Sequence, residues 1–172
     1  MQDDVTLENR KLIFDYISDN PGVHLRKISR DMNIHLSTLR YHIDYLEIKG
    51  LITYQKEDNL KLYFVCGKLN PHEKKLASLL QQKRFRDILI AILDSHELTS
   101  SKIAEKLSMN RSTASKYINI LEKREIISHK KIGREKLYQI NDEESVVKLL
   151  LTYKKSLWDS FVDNVLELYL ER

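Results

Sequence analysis

Cysteine, glycine and proline are scarce in this chain of 172 residues, and these scarcities exclude several kinds of site. The single cysteine, Cys66, excludes an internal disulfide and a zinc site built from several thiolates. The four glycines stand far apart, so neither common glycine-rich phosphate loop can form. No apolar run approaches the ~20 residues that a membrane span needs, and the acidic N-terminal stretch does not resemble a signal peptide. We therefore expect a soluble cytoplasmic protein with no membrane partner.

Positive charge is concentrated in the middle of the chain. Residues 1–70 carry no net charge, residues 71–140 carry +7 and residues 141–172 carry −3. A basic segment of this kind is typical of a nucleic-acid footprint. Net charge alone does not identify the partner, because many basic surfaces bind nothing specific.

The chain contains an internal repeat with an offset of 75 residues. The match has no gap and runs from Ile13, paired with Ile88, to Val65, paired with Ile140. Apolar positions match more often than identical residues do. Two copies of one small domain is the economical interpretation.

The first half of each copy has the pattern of two helices. Apolar residues at helical spacing, such as Phe85, Ile88 and Ile92, indicate a first helix. A shorter second helix is predicted over residues 24–32 and 100–107, and three non-helical residues follow it in each copy. Polar residues at the ends of this short segment suit a tight turn.

The second half of each copy predicts a helix followed by a β-hairpin. The third helix begins near Ser37 or Ser112, which are residues of the N-cap type. The hydrophobic period then changes from helical spacing to two, which predicts paired strands around residues 57–59 and 132–134. A mainly helical fold with hairpin wings, formed by two tandem winged helix-turn-helix domains, is the predicted architecture.

The sequence also resembles a known family. The matching features are Asn20-Pro21-Gly22, the run from Ser37 to His42 at the third helix, and Leu46-Glu47 shortly before Gly50. These features resemble ArsR/MarR-like winged-helix transcriptional regulators, particularly those of archaea, over about residues 10–140. The resemblance implies DNA binding and transcription regulation. Glu125 departs from it, because the family usually has glycine there, and this leaves the form of that turn open.

A winged helix binds DNA through its third helix in the major groove and its wing on the backbone. In the second copy these elements carry cations for phosphates and hydroxyl or amide groups for base edges. The predicted contacts there are Asn110, Arg111, Ser112, Thr113, Ser115, Lys116, Asn119, Lys130, Lys131, Arg134 and Lys136, with His129 as a further wing cation. A solvated basic face that binds nothing is the alternative.

The first copy has a more ambiguous surface. Its predicted DNA contacts are Ser37, Thr38, Arg40, Tyr41 and Lys56, with Lys61 in support. The acids Glu57 and Asp58 at the wing tip would face phosphates unfavourably. The aromatic residues Tyr41, Tyr45, Tyr54 and Tyr63 suit either a partner surface or a half-buried rim.

No metal, cofactor or catalytic site is predicted. His35 and His42 lie seven residues apart, but a metal site needs three or four ligands. His42 is expected to be a packed, hydrogen-bonded residue, and Cys66 a small core residue. No nucleophile, base and orienting group can be assembled, so we expect no enzyme.

Two further helices are predicted outside the repeat. A connecting helix with a capping-box pattern begins at Asn70, and it either kinks or runs straight into the helix of Phe85. A long apolar helix follows Asn141, and it either folds back on its own chain or pairs in a homodimer, which we favour. The predicted dimer contacts are Val146, Leu150, Tyr153, Leu157, Trp158, Phe161, Val165 and Leu168.

Together these features predict a homodimeric, nucleoid-associated transcriptional regulator that binds double-stranded DNA sequence-specifically. Its predicted divisions are a first winged-helix domain (1–69), a connecting helix (70–83), a second winged-helix domain (84–140) and a dimerisation helix (141–172). The leading alternative is a protein-assembly module, similar to tandem winged-helix subunits of chromosome-organising or transcription complexes. A factor that acts on RNA or promoter complexes without operator specificity is a second alternative.

Overall fold

The protein divides into two compact units, Met1–Gln81 and Gln82–Arg172. The computed structural model describes residues 2–57 and 59–153. In this part of the chain no helix is both long and apolar enough to cross a membrane.

The first unit consists of four helices and a small antiparallel sheet in which β3 lies between β1 and β2. Its elements are α1 (Gln2–Asp19), β1 (Val23–His24), α2 (Leu25–Asp31), α3 (Leu36–Ile48), β2 (Ile52–Glu57), β3 (Leu60–Val65) and α4 (Pro71–Leu80).

The core of this unit forms where the predicted apolar stripes meet. Ile13 and Ile17 from α1, Ile28 from α2, and Leu39 and Ile43 from α3 are almost completely buried together. These residues recur every three or four positions, so each helix turns one face inward and leaves the other face in solvent. The fixed inner face of α3 is what determines which of its residues point outward.

The second unit repeats this order. Its elements are α5 (Lys83–Ser95), β4 (Leu98–Thr99), α6 (Ser100–Lys106), α7 (Arg111–Lys123), β5 (Ile127–Ile132), β6 (Glu135–Ile140) and α8 (Glu143–Thr152). The strand register repeats as well, because Val23 opposes Tyr63 in one sheet and Leu98 opposes Tyr138 in the other. Both pairs differ by the same 75 positions that the sequence repeat predicts.

The two shortest strands, β1 and β4, were not predicted. Each contains only two residues, which is too short for a period of two to be recognised. They add a third strand to each hairpin and bring the start of the second helix against the sheet.

The third helices begin slightly earlier than predicted. Their N-caps are His35 and Asn110 rather than Ser37 and Ser112. The imidazole Nδ1 of His35 accepts a hydrogen bond from the Ser37 backbone N–H at 3.4 Å, so it takes the role that a serine or aspartate oxygen usually has.

Helix α4 is separate from α5. It begins with a complete capping box, in which Asn70 accepts from the Glu73 backbone N–H and Glu73 accepts from that of Asn70. It ends at Leu80, and α5 begins at Lys83. The predicted connecting helix is therefore shorter than residues 70–83, and it packs within the first unit, where Gly22 closely approaches Ser78.

The described part of the predicted C-terminal helix is α8. Asp142 caps it by accepting from the Ser145 backbone N–H at 2.9 Å. Val146, Leu150 and Tyr153 are buried in the single chain, so a partner subunit cannot reach them in this conformation. The other predicted dimer contacts, Leu157, Trp158, Phe161, Val165 and Leu168, lie outside the described residues.

Candidate nucleic-acid interface

Helix α7 presents a polar face to solvent because its opposite face is held in the core. Ala114, Ile118 and Leu121 are buried on the inner side. The exposed side carries two cations with hydroxyl and amide groups between them. Its exposed members are Arg111, Ser112, Ser115, Lys116 and Asn119, and Thr113 is half-buried beside them.

The cations of this face are not neutralised within the described part of the chain. Neither Arg111 nor Lys116 forms an ion pair with a described carboxylate. Asn110 makes no side-chain cap hydrogen bond, so its amide is free to contact a ligand. Ser115 differs, because its hydroxyl lies 3.3 Å from that of Ser100 on α6 and is partly engaged there.

The wing of β5 and β6 places further cations beside α7. Gly133 occupies the tip with φ of 61°, a conformation that glycine adopts without strain. Lys131, Arg134 and Lys136 are exposed around this tip and form no ion pair with a described carboxylate. The second unit thus carries exposed cations on both α7 and the wing.

Two residues of the wing are tied to the unit rather than free. Lys130 Nζ lies 3.0 Å from Glu97 Oε1, and His129 Nδ1 makes a close contact with Glu122 on α7. The second contact joins the wing to the third helix. Sequence reasoning missed both acids, because Glu97 is 33 positions from Lys130, and Glu122 lies on a helix whereas His129 lies on a strand.

The corresponding face of α3 in the first unit is less open. Ser37, Thr38, Arg40 and Tyr41 are exposed as predicted, but the Tyr41 hydroxyl accepts a hydrogen bond from Arg10 Nη2 at 3.2 Å. The Ser37 hydroxyl lies 2.8 Å from His35 Nδ1. Arg40 thus remains the main free cation that the structure describes on this face.

The wing of the first unit also differs from its counterpart. Lys56 is exposed, but Lys61 lies 3.7 Å from a Glu47 carboxylate oxygen and sits over the Tyr54 ring. Glu57 turns toward α4, where its Oε2 accepts from the Ser78 hydroxyl at 3.3 Å. Asp58 lies outside the described residues.

The tyrosines of this unit do not form one exposed surface. Tyr41 is 60% exposed, whereas Tyr63 is buried in the sheet. Burial, followed by the charges of Glu47 and Asp44, raises the pKa of Tyr63 to about 12. Tyr63 is therefore a core residue, and the predicted aromatic surface is limited to Tyr41, Tyr45 and Tyr54.

The histidines and the cysteine do not assemble a metal site in the described chain, where no three residues of metal-ligand type come together. His42 is buried as predicted, but its Nδ1 has no hydrogen-bond partner there. The prediction that Cys66 is a core residue was wrong. Its side chain is exposed, because Cys66 follows β3 and enters the turn of Gly67.

Comparison with known proteins gives an independent match to the second unit. Residues 84–133 match the family model described as an HTH domain. The second unit contains a helix-turn-helix. We call the second unit the helix-turn-helix unit. Its α6 and α7 are the two helices of the motif, and the match extends to the tip of the wing.

A curated relative matches most of the chain. The chain is 31% identical over 141 residues to an uncharacterized HTH-type transcriptional regulator of Methanocaldococcus jannaschii. The aligned region is 82% of this chain but 35% of the relative, so the chain spans about a third of that protein's length.

Several solved structures resemble part of the chain at low scores. HlyU from Vibrio cholerae has a TM-score of 0.43 at 18% identity, covering 51% of this chain and 96% of HlyU. An overoxidized AbfR bound to DNA has a TM-score of 0.41 at 16% identity, covering 85% of this chain and 96% of AbfR. Because these TM-scores are low, neither structure bears on the function proposed below.

Proposed function

We propose that this protein is a sequence-specific, double-stranded DNA-binding transcriptional regulator whose helix-turn-helix unit is the principal DNA contact. Helix α7 lies in the major groove, and the wing of β5 and β6 follows the phosphate backbone. The two-fold repeat adds a second winged helix-turn-helix, which contributes weaker contacts through Arg40 and Lys56. The protein works without an enzymatic activity of its own.

This proposal rests on the unneutralised cations of α7 and of the wing in the helix-turn-helix unit. Arg111 and Lys116 on α7, and Lys131, Arg134 and Lys136 on the wing, have no carboxylate partner among the described residues. Both contact elements of a winged helix carry them, as binding across a groove and its flanking backbone requires. A basic surface that only keeps the protein in solution would not be expected to coincide with these two contact elements.

The relative also supports a regulatory role, because it is described as an HTH-type transcriptional regulator and aligns across both units. A regulator that reads a palindromic operator needs two copies in a fixed arrangement. We propose that the apolar residues after α8, from Leu157 to Leu168, form the homodimer contact.

The experiment that tests the proposal selects bound fragments from random genomic DNA at two salt concentrations and then titrates labelled duplexes. Replacing Arg111, Ser112 and Asn119 by alanine removes sequence preference, because each good base-edge contact contributes roughly 1–3 kcal/mol. Replacing Lys131 and Lys136 lowers affinity without changing preference. It also reduces the slope of log affinity against log salt by about 0.9 per phosphate contact.

Lys130 is the matched control for the wing. It lies beside Lys131 but is already paired with Glu97, so its replacement changes the salt slope less. If the unmodified protein binds no duplex at low salt, the regulator function is wrong. The protein-assembly function would then explain the fold better.

A further inference from the structure

We propose that the first unit holds a binding site for a small amphipathic acid, meaning an apolar chain or ring system that ends in a carboxylate. The site is an open groove of about 530 Å³ that is lined by residues of α1 and α3 and by the residue before β2. This volume lies within the range of roughly 300–1,000 Å³ that small-molecule sites occupy. The proposal does not rest on the DNA-binding function.

The walls of the groove are apolar. The apolar residues that line it are Leu7 and Phe14 from α1, Leu46 from α3, and Leu51. Leu7 is 66% exposed and Leu51 is 44% exposed. Contact with these side chains removes the apolar surface of a ligand from water, which is favourable.

The rim of the groove is positively charged. Arg10, Lys11 and Lys49 line it, and none of them forms an ion pair with a described carboxylate. Arg10 is held in place, because its guanidinium lies 3.7 Å from the centre of the Tyr45 ring and donates to the Tyr41 hydroxyl. Its Nε is buried without a hydrogen-bond partner in the described chain, which leaves a donor unsatisfied.

The second unit shows that this groove is a specific feature of the first. At the positions offset by 75, Arg10 is replaced by Phe85 and Leu51 by Ile126, and both replacements are almost fully buried. Phe85 packs edge-on against Tyr117, with ring centres 4.9 Å apart. The counterparts of Lys11 and Lys49 are also cations, Arg86 and Arg124, so the difference between the units is that Phe85 fills in the second the place that is open beside Arg10 in the first.

The combination of apolar walls and unpaired cations determines the ligand class. A fully apolar compound would leave three cations without a counter-charge, and a simple anion would leave the walls exposed to water. A carboxylate on an apolar body satisfies both, since arginine and lysine form charge-assisted hydrogen bonds with it.

The test is calorimetric titration of the full-length protein with three probes: decanoate, decyltrimethylammonium and acetate. Decanoate binds with one site per chain, and the other two probes do not bind. The double variant Lys11→Gln with Lys49→Gln binds decanoate at least about tenfold more weakly, because it loses charge-assisted contacts. The variant Lys102→Gln with Lys123→Gln has the same change in net charge on exposed sites of the second unit, and it binds decanoate normally.

A second variant tests the position of the site. Leu51→Glu places a carboxylate at an exposed position of the groove and abolishes decanoate binding, while far-UV circular dichroism verifies that the chain is folded. Absence of decanoate binding to the unmodified protein, or equal binding by all variants, overturns the proposal. It is also overturned if decanoate fails to bind and a synthetic peptide of residues 156–171, which has four acids and no base, binds instead.

Discussion

Glu125 shows at the scale of a single residue how the second unit departs from the first. Its φ is 61°, close to the 66° of Gly50 at the equivalent turn. A side chain in this left-handed region costs roughly 1–2 kcal/mol, which glycine avoids. The turn that the sequence left open therefore forms in the same way in both units. Asn141 Nδ2 supports it by donating to the Glu125 carbonyl oxygen at 2.8 Å.

We expect Glu125→Gly to raise the free energy of unfolding of the second unit by about 1 kcal/mol. Urea unfolding followed by circular dichroism measures the change. The matched control is Gly50→Ala, where an added Cβ meets no atom within 4 Å and the conformation alone is tested. That substitution should lower stability by a similar amount. A neutral or destabilising Glu125→Gly would show that this backbone conformation carries no cost.

His42 makes the stability of the first unit depend on pH. Burial, and then the charge of Arg10, lower the pKa of this imidazole. The unfolded chain therefore binds a proton at a higher pH than the folded unit does. The stability contributed by the neutral imidazole is fully present above the unfolded pKa of ~6.5. It is lost as the pH falls from there toward the lowered folded pKa.

We expect His42→Gln to reduce the loss of stability between about pH 7 and pH 5, the interval around the ordinary histidine pKa. Urea unfolding at a series of pH values gives the comparison. Part of the dependence should remain, because burial and nearby cations also lower the pKa of His24. If the free energy of unfolding varies with pH in the same way for the variant and the unmodified protein, His42 does not cause the pH dependence.

At the scale of elements, the contact between α4 and the turn after α1 determines that α4 belongs to the first unit. Gly22 has φ of 82°, and a Cβ added there would lie 2.8 Å from the Ser78 Cα. Only glycine allows this close approach of two backbones. The capping box at Asn70 then orients the start of the same helix.

We expect Gly22→Ala to lower the free energy of unfolding by roughly 2–4 kcal/mol, since it combines strain with overpacking. Gly67→Ala is the matched control, because Gly67 has φ of 73° but no atom within 4 Å of an added Cβ. Its cost should be about 1 kcal/mol. Equal effects of the two substitutions in urea unfolding would mean that α4 does not pack against the turn.

The elements were more predictable from the sequence than their ends and contacts. The stripe through Leu39, Ile43 and Leu46 is buried as predicted, because helical spacing places these residues on one side. The imidazole cap of His35 and the two-residue strands produce no comparable pattern in the sequence. The outward faces of α3 and α7 follow from the same spacing, so the candidate site could be located.

Whether each site residue is paired or free could not be predicted, because pairing depends on contacts between residues far apart in the sequence. Lys130 and Lys131 are adjacent and alike in sequence, yet Lys130 alone meets Glu97, which is 33 positions away. Arg10 has no pattern that marks it as a neighbour of Tyr41 and Tyr45. Long-range pairs of this kind depend on strand register and helix packing.

At the scale of the whole molecule, the proposed dimer depends on the segment after α8. We expect removal of residues 154–172 to give a monomer in sedimentation velocity, because the buried residues of α8 remain and the proposed contact is lost. Phe161→Asp combined with Leu168→Asp in the full-length chain gives the same result without truncation. A dimer that persists in both variants would place the contact elsewhere.

We propose that the helix-turn-helix unit is the principal reader of DNA. The most direct test is fluorescence anisotropy with a selected duplex, comparing Arg111→Ala with Arg40→Ala, two exposed arginines at third helices of the repeat. We predict that Arg111→Ala weakens binding by about 5- to 150-fold, because it removes a base contact of roughly 1–3 kcal/mol, and that Arg40→Ala has a smaller effect. The reverse order would contradict the claim and make the first unit the principal reader.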